Sequence, residues 1–213
     1  MLSKRLLEIA NLVDKNKVVF DVGSDHGLLP CFLLKEGICP KAYAGDNKEG
    51  PLSRANENIL KYNLEGKVIP VLSDGIEKIE NDVDIVIIAG MGFYTVKHIL
   101  EGKDLSAYDK IIVQVNKDVD KLREFISNNN YTILDERIVY DGFYYEIVVF
   151  NTKKHEKYND LEIKYGPVLL QNMDTIFIDY LNARKRKMKA IYKKSKNPKT
   201  LESINEIGNI LGL

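Results

Sequence analysis

Apolar positions fall into two textures along the chain. Between about residues 17 and 150, short β-branched runs alternate with helix-spaced stripes; beyond about residue 167 only three- and four-residue spacings remain. At the start, Leu2, Leu6, Leu7, Ile9, Leu12 and Val13 approximate helical spacing and predict an amphipathic helix. Lys17–Val22 (KVVFDV) predicts a strand, followed by a helix over Leu29–Lys35. A strand over Ala42–Gly45 ends on Asp46, and a helix opens near Pro51 and runs to about Tyr62. Proline is harmless near a helix start, where its missing N–H has no partner in any case. Val68–Leu72 reads as a third strand. Val83–Ile88 is almost unbroken in its apolarity, as a strand buried on both faces requires. It is expected to end at Ala89-Gly90-Met91-Gly92, with a helix following to Leu100. A fifth strand (Lys110–Val115) and a helix (Asp118–Ser127) precede two strands, Tyr131–Tyr140 and Tyr144–Phe150, joined at the hairpin pair Asp141-Gly142.

Strands alternating with helices and closed by a hairpin predict an α/β fold. The sheet would be open and mostly parallel, covered on both faces, with antiparallel pairing at one edge. Ligands in such sheets bind at the carboxyl ends of the strands, near the topological switch point, so the loops after the first four strands are the ones to inspect. Asn151–Asp160 is polar and reads as a linker. From Pro167 a stripe runs through Leu169, Met173, Phe177, Leu181 and Met188, breaks at Lys196-Asn197-Pro198-Lys199, and resumes at Leu201, Ile204, Ile207 and Leu211. That pattern predicts an antiparallel, coiled-coil-like helical hairpin. The expected division is a sheet domain over 1–151 and a basic helical hairpin over 160–213.

Charge changes this picture. The 213 residues carry 31 basic and 31 acidic side chains, a net charge of zero that seen whole argues against a polyanionic partner. The distribution argues otherwise. Residues 1–181 hold 29 acids and 22 bases, whereas 182–200 hold 9 bases and no acid. Arg184, Lys185, Arg186, Lys187, Lys189, Lys193 and Lys194 fall near the turn of the hairpin. An acidic body joined to a basic segment points to a polyanion, with a solvated lysine-rich helix face as the plain alternative. Glu8 inside the first segment speaks against a signal peptide, and no apolar run is long enough to span a bilayer. Cys31 and Cys39 lack CxxC spacing and the three histidines are scattered, so no metal site is expected and the thiols read as reduced, in a cytosolic protein.

Four loops carry candidate chemistry. In Asp21-Val22-Gly23-Ser24-Asp25-His26-Gly27 an acid ends the strand and a glycine follows two residues later. This resembles the acidic loop of S-adenosylmethionine-dependent methyltransferases more than the GxGxxG of dinucleotide folds. A pyrophosphate wants a helix N-terminus; an ammonium and a sulfonium want carboxylates, which Asp21 and Asp25 supply. Gly23 would allow close backbone approach, and Ser24 would either line the ligand or cap the helix. His26 is a ligand contact, a general base, or a plain capping residue. Asp46, with Asn47 beside it, stands where an acid accepts hydrogen bonds from ribose hydroxyls, or simply opens the loop. Asp74 and Gly75 end the third strand, where Asp74 would meet an adenine amino group or form a turn. In Ala89-Gly90-Met91-Gly92 the small residues leave room for a methyl group and a flat base, or form a tight helix start. The [DN]PP[FYW] sequence of amino-group methylases is absent at this point.

Several stretches together identify one family. DVGSDHGLLP (21–30), GDNKEGP (45–51), Asp74-Gly75, IAGMG (88–92), Gln114 and Asn116, Asp141-Gly142, Tyr145-Glu146-Ile147 and Gly166-Pro167 occur in the order seen in bacterial tRNA (adenine-N1)-methyltransferases acting on position 22. The resemblance covers nearly the whole chain. Phe93 replaces the last glycine of the usual AGMGG, Val115 replaces the proline of QPN, and the C-terminal helical part looks short. The resemblance implies a Rossmann-like S-adenosylmethionine-dependent methyltransferase sheet with a C-terminal helical hairpin, and methyl transfer to adenine N1 of tRNA. It assigns the cofactor to the first four loops, Asp21 to developing positive charge or to cofactor orientation, and Gly92, Gln114 and Asn116 to the substrate. Tyr94 would stack on the base or pack in the core, and the basic helix would hold phosphates. The competing expectations are another methyl acceptor, a protein or small molecule, and a non-catalytic RNA-binding module of the same fold.

Overall fold

The computed structural model describes residues 2–212. Its strands are β1 (Val19–Val22), β2 (Ala42–Asp46), β3 (Val68–Leu72), β4 (Ile85–Met91), β5 (Lys110–Val115), β6 (Tyr131–Asp141) and β7 (Phe143–Lys154). The helices are α1 (Lys4–Asn11), α2 (Leu28–Lys35), α3 (Glu49–Lys61), α4 (Phe93–Leu100), α5 (Val119–Asn128), α6 (Asp160–Tyr165), α7 (Pro167–Asn172), α8 (Thr175–Ser195) and α9 (Pro198–Ile210). All seven strands form one sheet in the order β3-β2-β1-β4-β5-β7-β6. β1 to β5 are parallel, and β7 runs antiparallel to both β5 and β6. The chain builds outward from β1 to β3, then returns to lay β4 on the other side of β1. The switch point therefore lies between β1 and β4.

The period of two along each strand explains the apolar runs. Val86 and Ile88 face one core layer with Phe20, Val113 and Phe150, under α4 and α5. Ile85 and Ile87 face the other with Val19, Ile112 and Val149, under α1 and α2. Both faces are covered, so every position of the central strands must be apolar. Asp21 interrupts that rule within β1, paired on either side with Ala44 and Ile87.

Three sequence expectations are corrected. β4 does not stop at Ile88; it continues through a register shift between Ala89 and Met91, where Gly90 takes a φ of +78°. The 151–160 stretch is not a free linker. β7 continues to Lys154 and Tyr158 is buried in the main core, its hydroxyl accepting from the Ile133 N–H at 2.8 Å. The helix opened by Pro167 breaks at Met173, which has a φ of +46°, and Asp174 restarts it by accepting from the Phe177 N–H at 2.8 Å. Beyond the break, α8 and α9 form the expected antiparallel pair. Phe177, Leu181 and Ile207 share a small core with Ile138 of β6 and with Tyr165 and Leu169.

Candidate active site

Two adjoining crevices open at the switch point. One, of about 370 Å³, runs past the ends of β1 to β4 along Gly23, Asp46, Asn47, Asp74, Gly75 and Met91. The other, of about 340 Å³, is lined by Arg5, Asp21, Ser24, Asp25 and His26. They share Gly23, Ala89 and Gly90. Larger hollows lie between α4 and α5 and beside α6, without the strand-end acids. The first four loops thus converge on one place, as their positions in the sequence imply.

Asp21 is the electrostatic centre. Burial in the middle of the sheet pushes its carboxyl up to about 7 from 3.8, while the Ser24 hydroxyl and the Arg5 guanidinium temper the rise. No side chain forms an ion pair with it among the described residues. Ser24 Oγ is itself buried and, beyond the neighbouring Asp21 carboxyl, has no polar partner. A buried carboxyl with no ion-pair partner is an arrangement that a positively charged ligand would satisfy. Gly23 has a φ of +70°, and a Cβ there would collide with the Met91 methyl group. At Gly45 a Cβ would stand 2.5 Å from the Phe20 ring. Gly23 is thus required by its left-handed turn, and Gly45 by the Phe20 ring packed against its place in β2.

The remaining acids are more open. Asp46 is half-buried and accepts from the Lys48 N–H at 3.0 Å. Asp74 is exposed. Asp25 points outward to His26 (3.4 Å) and Arg54 (3.7 Å). His26 has a φ of +65°, and its carbonyl accepts from Asn58 Nδ2 at 2.9 Å, so it acts as part of a tight turn.

Gln114 and Asn116 meet on one residue, Gly90. Gln114 is fully buried; its Oε1 accepts from the Gly90 N–H at 3.1 Å and from Arg5, while Asn116 Nδ2 donates to the Gly90 carbonyl at 2.7 Å. The two side chains clamp the bulge in β4 that separates the crevices. Gly92 has open space around its Cα, and Tyr94 is 67% exposed, with Lys121 donating to its hydroxyl at 3.1 Å. The exposure removes core packing as the reading of Tyr94. Phe93 and Val115, the two departures from the family pattern, turn inward and are buried in the main core.

The basic segment divides. Arg186, Lys187, Lys189, Lys193 and Lys194 are exposed and Lys185 is half-buried. Arg184 instead turns back onto the body, 5.3 Å above the Tyr165 ring, and donates to the Tyr180 hydroxyl at 3.3 Å.

Two groups gave no signal in the sequence. Arg5, on α1, joins Gln114, a residue 109 positions away, and lies 5.4 Å over the Tyr145 ring. Arg123 on α5 is wholly buried, donating to Glu136 (2.6 Å) and Glu146 (2.8 Å). Burial works against its charge, and the two carboxylates outweigh burial, leaving the guanidinium above its ordinary value. Glu136 also accepts from the Val168 N–H at 2.9 Å, and Glu146 from the Tyr180 hydroxyl at 2.8 Å. Neither arginine belongs to a motif, and each is defined only by contacts distant in sequence.

A 3-2-1-4-5-7-6 sheet with an acid-lined crevice at its switch point defines a Rossmann-like methyltransferase, and residues 2–148 match the methyltransferase domain family. Over 200 residues the chain is 31% identical to the tRNA (adenine(22)-N(1))-methyltransferase of Bacillus subtilis (strain 168), covering 90% of this chain and 84% of the relative. The solved structure of M. capricolum TrmK with S-adenosyl-homocysteine superposes with a TM-score of 0.83 at 32% identity, covering 100% of this chain and 97% of that one. Streptococcus pneumoniae Sp1610, solved with S-adenosyl-L-methionine, gives 0.89 at 29% identity, with 99% and 100% covered. The chain belongs to the bacterial tRNA (adenine-N1)-methyltransferases of the TrmK type.

Proposed function

We infer that this protein transfers a methyl group from S-adenosylmethionine to N1 of adenine 22 in tRNA. The observation that carries the reading is the near full-length relationship to the B. subtilis enzyme, in a fold whose switch-point crevice is lined by acids and not by a phosphate cradle. The donor set fits the cofactor: a buried acid with no ion-pair partner, a buried hydroxyl beside it and a glycine turn at Gly23 that admits close approach.

S-adenosylmethionine, when bound, supplies an electrophilic methyl group on a cationic sulfur. In this reading Asp21, Gly23, Ser24, Asp25 and His26 line its amino-acid end. Asp46 and Asn47 take the ribose, Asp74 and Gly75 the adenine, and Ala89, Gly90 and Met91 the methyl-bearing centre. Adenine N1 is unprotonated at neutral pH, so the chain needs chiefly to place it in line with the methyl group and exclude water. The clamp of Gln114 and Asn116 on Gly90 fixes the backbone that lines the methyl-bearing end of the cofactor site. Gly92 leaves space for the base and Tyr94 offers a face for stacking. The product base is cationic, and the Asp21 carboxylate lowers the energy of positive charge nearby. Arg186, Lys187, Lys189, Lys193 and Lys194, with Lys185, hold phosphates without reading bases, while Arg184 orients the helix that carries them. The enzyme works in the cytoplasm, where its tRNA is.

The test is a radiolabelled methyl-transfer assay on unmodified tRNA with nucleoside analysis of the product. Label in 1-methyladenosine, lost with Asp21→Ala, is the expected result. Label in another nucleoside or in protein, or none, overturns the reading.

A further inference from the structure

The most exposed Phe and Tyr rings among the described residues gather at one end of the molecule. Among the described residues the exposed aromatic side chains are Tyr94, Tyr140 and Phe143, at 67%, 50% and 73% exposure. Tyr94 follows the carboxyl end of β4. Tyr140 and Phe143 sit at the tip of the β6–β7 hairpin. Gln114 near the end of β5 pairs with Ile147 of the antiparallel β7, so this tip projects past the carboxyl end of β5, beside the crevices.

The tip is held in place. The Arg5 N–H donates to Asp141 at 3.4 Å and the Arg5 guanidinium lies over Tyr145, so the helix that touches Gly90 also braces the hairpin. On the other side Tyr140 packs on Tyr144 (ring centroids 4.9 Å apart), and Tyr144 on Tyr180 of α8 (5.4 Å). Phe143 pairs with Asp141 in the ladder and so lies on the opposite, Arg5-facing side of the hairpin, without a ring partner. A single exposed apolar residue is ordinary; exposed rings gathered at the rim of an active site mark a contact surface.

Chemistry names the contact. N1 is the atom adenine uses in base pairing, so methylation requires the base to leave its pair and its stack. That exposes the face of the neighbouring base. Aromatic side chains replace such faces, and lysines beside them take the phosphates. Here the basic α8 adjoins the same end, its Arg184 lining a cleft with Asn116 and Tyr144. We propose that the β6–β7 hairpin tip is a stacking wedge for tRNA: Phe143 covers the base next to the extracted adenine. This rests on the function proposed above.

The experiment compares wild type, Phe143→Ala, Phe143→Trp and the double variant Tyr140→Ala/Phe143→Ala. It measures S-adenosylmethionine affinity by calorimetry and kcat/KM on tRNA across a salt series. Stacking on a single base accounts for about tenfold by alanine substitution, so Phe143→Ala should lose roughly that in kcat/KM. Phe143→Trp should keep it. Cofactor affinity and the salt slope should not move, because no charge is removed. A double variant equal to wild type overturns the proposal, as does an effect on sedimentation alone, which would make the tip an interface between copies. A wild-type protein that leaves tRNA unmethylated takes down the function itself, an outcome distinct from a hairpin variant with full activity.

Discussion

Asp21 shows how one residue ties stability to ligand binding. Its folded-state carboxyl rises from 3.8 to about 7 because the sheet removes it from water. The folded protein therefore holds this proton more tightly than the unfolded chain. Stability from this group is complete at acid pH and is lost as pH rises through that window. Three pH units correspond to about 4 kcal/mol as an upper limit. Asp21→Asn should thus be more stable than wild type at pH 8, by roughly 2 kcal/mol, and nearly equal at pH 4, as read by urea titration without ligand. Binding runs the opposite way: a cation selects the carboxylate, so wild-type affinity for S-adenosylmethionine should fall as pH drops from 7.5 to 6, with protons released on binding. Asp21→Asn should bind weakly without that slope; a wild-type affinity flat across this range would contradict the role of Asp21. This residue was legible because an acid ending a β-branched run is conspicuous. Arg5 was not, since nothing in the α1 segment foretells Gln114 far along the chain.

At the level of elements, α8 does two things with one run of cations. Lys189 and Lys193, one turn apart and exposed, should bind phosphates. Reversing both charges should weaken tRNA binding, lower the slope of log affinity against log salt by about two, and leave cofactor affinity intact. Filter binding across a salt series reads this directly. Arg184→Ala should behave differently, loosening the packing on Tyr165 and Tyr180 and lowering the melting temperature as well. The sequence pattern showed the charge run but not this division, because burial of Arg184 depends on two tyrosines brought by folding. The break at Met173 was equally hidden: apolar spacing continues across it, and only the Asp174 cap marks the restart. β4 overran its expected end because a bulge at Gly90 keeps residues usually read as turn in the ladder.

The whole molecule is held together by charges its core hides. Arg123 joins α5 to β6 and β7, Glu136 reaches α7, and Glu146 reaches α8 through Tyr180. Arg123→Met would leave two carboxylates in the core without a cation and should destabilise the protein by about 3–5 kcal/mol, measured by urea unfolding. Gly166 shares the constraint: its φ is +93° and a Cβ would stand 2.5 Å from Glu136. These links fix the basic helix against the end of the sheet where the strand-end acids converge. The zero net charge is then a balance between an acidic body suited to a cationic methyl donor and a cationic helix suited to RNA. That asymmetry was readable in the linear sequence; the buried pins that orient its two parts were not. The most direct test is methylation of two transcripts of one tRNA, identical except for A or G at position 22. The account predicts 1-methyladenosine in the first and no methyl incorporation in the second. Equal incorporation in both, or none in either, would contradict it.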